Sequence, residues 1–305
     1  MNTFVRPAEG RNSVWRYLLS LLVIVGLFFF GSILTVFYMF LTSAFNPSLT
    51  INWDEGALSD PLADIYLQHI VYFIAIPGIW IAVRFIMKRR FLSIITPNQS
   101  LNWKRIFFGF GTYVVLMFIA GLIDFTIHPD RFSLQEFHAS RFLLLLAAAV
   151  LLVPIQTSAE EFLFRGLLLQ FAGKLTANAV VLTVIIGGLF GALHFGNPEM
   201  ENGALWAGIG YVTIGMIWTF ITIKTGSLEM SLGGHAANNM FLFIFLTEDH
   251  SVYGGIPSIF TTAAGGYEIY DCISTLVINI IFVWLAFRFV KKRKAAGRLG
   301  SAADL

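Results

Sequence analysis

Long apolar segments alternate with short polar ones along almost the whole chain. A helix needs about 20 consecutive apolar residues to cross the hydrocarbon core of a bilayer. Runs close to that length or longer predict about eight membrane-spanning helices. They lie at 17–44, 66–87, 106–126, 142–170, 180–196, 204–223, 228–247 and 272–290. The pattern therefore predicts an all-α fold, a polytopic bundle of transmembrane helices.

The composition agrees with a membrane protein and excludes other classes. Hydrophobic residues make up 57% of the chain and charged residues 12%, whereas soluble domains carry about 25% charged residues. A water-soluble domain, a disordered chain and a basic nucleic-acid-binding domain are excluded, so the expected surroundings are a lipid bilayer and not nucleic acid. The single cysteine, Cys272, excludes an intrachain disulfide and a cysteine-based zinc site.

The charges between the spans predict the orientation. Basic residues collect in the second, fourth and sixth connections and after the last span, while the other connections are mostly acidic. Lys and Arg favour cytoplasmic loops, so both termini are expected in the cytoplasm. We expect a cytoplasmic tail at 1–16, one membrane-embedded domain at 17–290 and a basic cytoplasmic tail at 291–305. The short loops favour a bacterial inner (plasma) membrane.

A first polar cluster, Glu160-Glu161-Phe162-Leu163-Phe164-Arg165, lies inside the fourth predicted span. A charge near the bilayer centre costs at least about 2.5–3.5 kcal/mol. Glu161 and Arg165 are spaced i,i+4 with the acid first, the favourable order for a helical ion pair. Adjacent helical residues point about 100° apart, so Glu160 faces elsewhere and is free to act on another group. The alternative is a purely architectural ion-pair network.

A second cluster, Phe190-Gly191-Ala192-Leu193-His194, lies in the fifth predicted span. Phe190 and His194 share a helix face, so the ring is expected to wall in the imidazole. Gly187 and Gly191 form a pair of small residues that permits close helix approach. Taken alone, His194 fits a hydrogen-bonded core histidine better than a ligand or a base.

A third cluster, His235-Ala236-Ala237-Asn238-Asn239, lies in the seventh predicted span. His235 and Asn239 are spaced i,i+4 and share a face. The small residues around them leave room for another helix or for a ligand. Two residues that merely hydrogen-bond between helices are an equally good explanation of this cluster taken alone.

The three motifs together, in this order and each in its own predicted membrane helix, resemble the CPBP family. These are the type II CAAX prenyl endopeptidases and their bacterial relatives, also called the Abi family, some of which are linked to bacteriocin processing or self-immunity. The resemblance covers about 140–247 and extends to Thr225-Gly226-Ser227-Leu228. It implies an intramembrane endopeptidase in which Glu161 and Arg165 form a supporting pair.

The resemblance also implies catalytic roles for four residues. Glu160 would be the general base that activates water, and His194 would help to hold that water. His235 and Asn239 would stabilise the oxyanion. Peptide hydrolysis without a Ser or Cys nucleophile needs these three elements, namely an activated water, a base and an oxyanion donor.

The sequence leaves the cofactor open. No His-Glu-x-x-His motif occurs, yet Glu160, His194 and His235 are a reasonable ligand set for catalytic zinc. Members of the family have been described both as metalloproteases and as glutamate-type proteases. We favour a metal-free mechanism, with zinc as the alternative.

Two other classes of function compete with a peptidase. A transporter or channel also carries acids and histidines within the membrane, although the two related halves of a secondary transporter are not visible. A non-catalytic membrane partner, such as an immunity factor, could keep the motifs without catalysis. For a peptidase, the expected substrate is a peptide or a membrane protein, and a prenylated CAAX protein is an analogy with eukaryotic relatives. The sequence does not indicate the oligomeric state.

Overall fold

The protein is mostly helical. The computed structural model describes residues 3–54, 56–201, 203–262 and 268–303. In chain order, the α-helices are α1 Val14–Phe45, α2 Pro61–Gln68, α3 Ile70–Ile81, α4 Trp103–Ile127, α5 Ala139–Leu151, α6 Val153–Glu161, α7 Leu169–Leu175, α8 Ala179–Ala192, α9 Ala204–Thr225, α10 Glu229–Phe245 and α11 Ile269–Ala303. Ala82–Ile86 and Phe162–Leu168 are π-helical and continue α3 and α6.

Short strands join some of the connections into two small sheets, which the all-α prediction did not include. The strands are β1 Ile51–Asn52, β2 Ala57–Leu58, β3 Phe132–Leu134, β4 Leu246–Glu248 and β5 Phe260–Thr262. β1 pairs antiparallel with β2, while β5 lies between an antiparallel β3 and a parallel β4. Strands of two or three residues are too short to show the alternation of apolar and polar positions that predicts a strand.

Six described segments are long and apolar enough to cross a membrane. They are Val14–Phe45, Pro61–Ile86, Trp103–Ile127, Ala139–Leu175, Ala204–Thr225 and Ile269–Lys291. The predicted spans at 180–196 and 228–247 correspond to the shorter helices α8 and α10, of 14 and 17 residues. At 1.5 Å per residue α8 is about 21 Å long, less than the hydrocarbon core of about 30 Å. The predicted number of eight spans is therefore not confirmed.

Helix α10 lies inside the bundle, where protein surrounds it instead of lipid. It packs against α4, α5, α6 and α9. Its small residues allow this, because a Cβ on Gly233 would collide with the carbonyl oxygen of Ile106 on α4, and one on Gly234 would meet the ring of Trp218 on α9 at 2.5 Å. The helix that carries the third polar motif is thereby enclosed on several sides.

A buried carboxylate fixes the start of α10. Gly226 ends α9 in the left-handed conformation, with φ of 75°. Glu229 then accepts hydrogen bonds from the backbone N–H of Asn102 at 2.7 Å, from Arg105 Nη1 at 3.2 Å and from Ser227 Oγ at 2.9 Å. The stretch around Gly226 thus turns the chain and ties α10 to the beginning of α4.

The predicted close approach at Gly187 and Gly191 is present between α8 and α9. A Cβ on Gly187 would collide with the backbone of Met216, and one on Gly191 would lie 2.6 Å from Val212 Cγ2. Close contact here brings α8 and α9 together beside the second polar motif.

The N-terminal segment packs onto the bundle ahead of α1. Phe4 and Val5 are buried in the same hydrophobic core as residues of α1 and α7. The backbone N–H of Arg11 donates to the carbonyl oxygen of Met87 at 2.7 Å. The predicted cytoplasmic tail at 1–16 is therefore in part a packed element, since α1 begins at Val14 and the residues before it cover the end of α7.

Replacing Gly187 by Ala should lower the melting temperature, because the added methyl group meets the backbone of α9. Overpacking of this kind costs about 1–3 kcal/mol. Gly188→Ala is the matched control, since a Cβ there meets nothing within 4 Å. Thermal unfolding of both variants in detergent checks this, and equal stability of the two would contradict the helix contact.

Candidate active site

A fully buried ion pair forms the centre of the polar cluster. Arg165 Nη1 donates to Glu161 Oε1 at 3.0 Å, and neither side chain is exposed. The i,i+4 spacing predicts this pair, although the segment Phe162–Leu168 is π-helical and not the expected α-helix. π-Helical turns are rare and are frequent at functional sites.

The guanidinium of Arg165 is held by three helices. Its Nη2 donates to the carbonyl oxygen of Gly215 at 3.0 Å and its Nε to Thr219 Oγ1 at 3.3 Å, both on α9. On α8, the ring of Phe190 lies 4.1 Å from the guanidinium carbon. A buried Arg with this many partners has little freedom to move, so Glu161 is held in place as well.

His235 connects the two glutamates. Its Nδ1 lies 3.0 Å from Glu161 Oε1, and its Nε2 lies 3.8 Å from Glu160 Oε2. An ionised carboxylate only accepts hydrogen bonds, so the ring proton of this contact lies on Nδ1. The 3.8 Å separation exceeds a direct hydrogen bond, which leaves Nε2 as the ring nitrogen available beside Glu160.

The two adjacent glutamates lie in different environments, as their helical spacing predicts. The side chain of Glu161 is 0% exposed and that of Glu160 is 16% exposed. Glu160 Oε1 accepts from Gln156 Nε2 at 3.4 Å. Glu161 is therefore committed to the ion pair, while Glu160 is reachable and more weakly held.

Asn239 joins the site through Gln156 and Tyr253, two residues that lie outside the three sequence motifs. Asn239 Nδ2 donates to the hydroxyl of Tyr253 at 3.5 Å, and this hydroxyl donates to Gln156 Oε1 at 3.2 Å. Glu160, Gln156, Tyr253 and Asn239 thus form one chain of contacts. Burial, together with the charge of Glu160, raises the pKa of Tyr253, so its hydroxyl remains a donor.

The segment between β4 and β5 carries Tyr253 over the site. Thr247 Oγ1 donates to the carbonyl oxygen of Tyr253 at 2.7 Å. Glu199, in the connection after α8, accepts from the backbone N–H of Val252 at 3.2 Å. Burial raises the pKa of Glu199. These contacts fix the position of the tyrosine relative to α8 and α10.

His194 lies one step away from the central cluster. The predicted span includes it, but α8 ends at Ala192 and His194 follows in a turn. Its Nδ1 contacts the carbonyl oxygen of Phe190 at 2.7 Å, and its ring stacks on Tyr211 with centroids 4.7 Å apart. Phe190 also contacts the His235 ring, at 6.0 Å, so the predicted wall of the imidazole is shared by both histidines.

The proposed zinc ligands do not come together. Within the described parts of the chain, no group of three or more His, Cys, Asp or Glu side chains could hold a metal ion. Among these residues the alternative set of Glu160, His194 and His235 is therefore not gathered into a metal site. This arrangement does not fit zinc.

Without a metal ion, the arrangement of Glu160, His235 and Asn239 combines the elements of acid–base hydrolysis. A reachable carboxylate lies beside an imidazole nitrogen, and an amide donor lies at the other end of the contact chain. Glu161 and Arg165 orient the imidazole through Nδ1. A general base needs hydrogen-bond reach to its proton, and Glu160 has the exposure for it.

Comparison with known proteins identifies the class. The sequence profile of the type II CAAX prenyl endopeptidase Rce1-like proteins matches residues 139–241, from α5 into α10. The chain belongs to this family, and the resemblance to the CPBP proteins is confirmed.

The chain is also similar over nearly its full length to one curated protein. This relative is the "Uncharacterized protein YyaK" of Bacillus subtilis (strain 168). The two sequences are 57% identical over 295 residues, which cover 97% of this chain and 98% of the relative. The chain matches no solved structure.

Gln156 and Tyr253 differ in how far the sequence could have indicated them. Gln156 is a polar residue one turn before Glu160 in an apolar span, which is a usable signal. Tyr253 lies outside the family match, in a connection, and only the folded chain brings it to the site.

Glu161→Gln should destabilise the protein strongly, because Arg165 then becomes an unbalanced buried charge. Loss of one partner of a buried pair costs about 3–5 kcal/mol. The neighbouring Glu160→Gln, at a partly exposed position, is the control and should change the melting temperature little. If thermal unfolding showed the two variants to be equally stable, the Glu161–Arg165 ion pair would not be the one that stabilises the fold.

Proposed function

We propose that this protein is an intramembrane endopeptidase that hydrolyses peptide bonds with a glutamate-activated water. The observation that carries the proposal is the Glu160–His235–Glu161–Arg165 cluster inside the segment that matches the endopeptidase family. A purely architectural network does not require the partly exposed second carboxylate, whereas hydrolysis does.

In the proposed reaction, Glu160 takes a proton from water as the water oxygen attacks the peptide carbonyl carbon. The carbonyl oxygen becomes an oxyanion, and the tetrahedral intermediate collapses as Glu160 passes the proton to the leaving amine. The position beside Glu160 Oε2 and His235 Nε2, which are 3.8 Å apart, lets one water contact both.

His235 and Asn239 are the proposed oxyanion donors. Because Nδ1 donates to Glu161, Nε2 can donate only when the ring is an imidazolium. Each preorganised donor of this kind contributes about 10²–10³-fold to turnover.

Two further residues act through these groups. Tyr253 and Gln156 are positioning residues, since their contacts link Asn239 to Glu160. For His194, a part in holding the water rests on the family resemblance, and the shared ring of Phe190 supports it.

The proposed substrate is a peptide or a membrane protein whose scissile bond reaches the bundle interior. A bacterial inner membrane with both termini in the cytoplasm remains the proposed setting, supported by the charge alternation between spans. A prenylated CAAX protein is the substrate class that the family description names, and it comes to this chain as an analogy.

Glu160→Gln should abolish cleavage while the protein stays folded, since the amide keeps the shape and removes the base. Loss of a general base costs about 10²–10⁴-fold. Comparative proteomics of membranes that contain the wild type or the variant would detect the missing peptide termini. Glu136→Gln, at an exposed position, is the control. Unchanged termini in Glu160→Gln membranes would contradict the proposal and favour a non-catalytic partner.

A strong chelator should leave cleavage unaffected, because the described side chains do not gather a zinc site. The purified protein, prepared without added metal, is assayed for metal content and cleavage before and after chelation. Stoichiometric zinc that is lost together with activity and restored with it would refute the metal-free mechanism.

Labelling with an impermeant maleimide tests the orientation. In a Cys272→Ser background, Glu201→Cys should react on intact cells and Lys224→Cys only after permeabilisation. Both positions are exposed, so accessibility within the protein is matched. The reverse labelling would invert the proposed topology.

A further inference from the structure

A recess lined mostly by polar residue types lies at the end of the membrane domain where the basic residues collect. The N-terminal segment, the first turn of α1 and helix α7 enclose it, and its volume is about 220 Å³. Its lining consists of Arg6, Pro7, Asn12, Tyr17, Gln170 and Lys174. None of the residues that line the recess belongs to the proposed catalytic set, and the proposed reaction makes no use of it.

The lining is cationic and contains no carboxylate. Arg6 donates through Nε to the carbonyl oxygen of Gly173 at 2.5 Å, which holds its guanidinium beside α7. Lys174 follows in the same helix and is exposed. A guanidinium has donors beyond Nε, and two cations that line one small recess attract an anion more strongly than either does alone.

A third cation, Arg89, is buried behind the recess. Arg89 is 1% exposed, and its Nε has no hydrogen-bond partner among the described residues. Its Nη1 donates to Asn12 Oδ1 at 3.2 Å, and its guanidinium lies 5.9 Å from the ring centre of Tyr17. Asn12 and Tyr17 therefore separate this charge from the recess by one layer of side chains.

Arg89 has no carboxylate within ion-pair distance in the part of the chain that the structure describes. Glu9 is instead paired with Arg90, at 2.8 Å. Burial lowers the pKa of Arg89. Glu9 attracts Arg89 only from beyond ion-pair distance, so the buried cation is incompletely balanced, which is costly. An anion in the recess would offset that cost.

The recess opens beside a lipid-facing surface. Trp15 and Leu18, on the first turns of α1, are exposed, and so is Leu175 at the end of α7. Arg16 lies over the Trp15 ring at 4.3 Å. Trp residues and snorkelling cations are typical of the level of the lipid headgroups, so the recess lies where phosphates of the bilayer are present.

We propose that this recess binds a phosphate group, supplied by the headgroup of an anionic phospholipid. Arg6 and Lys174 contact the phosphate, and Arg89 adds long-range attraction. The bound headgroup joins the N-terminal segment to α7, which runs on from the helix of Glu160 and Glu161. Binding therefore stabilises the proteolytic segment without taking part in the reaction, and the proposal does not depend on peptidase activity.

The binding of phosphatidylglycerol tests the site. The protein is delipidated, reconstituted into nanodiscs of phosphatidylcholine and then supplied with phosphatidylglycerol. Phosphatidylglycerol should raise the melting temperature in a saturable way, and the double variant Arg6→Ala/Lys174→Ala should weaken this binding by about tenfold for each lost cation. Arg84→Ala/Lys104→Ala removes the same charge from exposed positions at the same end of the bundle and should bind as the wild type does.

The milder Lys174→Gln tests the site if the double variant does not fold, and it should weaken binding by about tenfold. Soluble glycerol phosphate is the second arm. Glycerol phosphate should not raise the melting temperature. A rise equal to that caused by phosphatidylglycerol would assign the site to free phosphate and overturn the lipid source. Wild-type affinity in the recess variants, or equal loss in the control, would overturn the site itself.

Discussion

The structure depends on compensation of charges that are buried in the interior of a membrane bundle. Glu161 and Arg165 have no exposed side-chain surface and meet at 3.0 Å. Ions in such a place lose several kcal/mol of hydration each, and only good geometry with further hydrogen bonds offsets that loss. The contacts of Arg165 to Gly215, Thr219 and Phe190, and of Glu161 to His235, provide this geometry.

This requirement explains several features of the fold. Helix α10 must bring His235 to Glu161, so it lies inside the bundle, and Gly233 lets it approach α4 closely. Gly187 allows α8, which carries Phe190, to pack tightly on α9, which supplies Gly215 and Thr219. A cluster fixed in this way by Glu161 leaves Glu160, one residue earlier, oriented and free of a strong partner.

Much of the site could be predicted because its polar residues occur where lipid-facing positions should be apolar. Helical spacing paired Glu161 with Arg165 and separated Glu160 from them, and both predictions agree with the geometry. Spacing within a helix says nothing about contacts between distant segments. Tyr253 reaches Asn239 through a connection near β5, and Phe4 packs on α7 from the other end of the chain. The predicted length of the fifth span also differs from the structure, since α8 ends at Ala192, before His194, while the apolar pattern continues.

The protonation pattern of His235 tests the central claim, that Glu161 holds this imidazole so that Nε2 faces Glu160. Nitrogen-15 NMR of histidine-labelled protein in bilayers, with the other histidines assigned by substitution, reads the two ring nitrogens directly. The contact between Nδ1 and Glu161 predicts a protonated, hydrogen-bonded Nδ1, whose signal changes in Glu161→Gln much more than in Glu160→Gln. An unprotonated Nδ1 in the wild type, or a signal indifferent to Glu161, would contradict it.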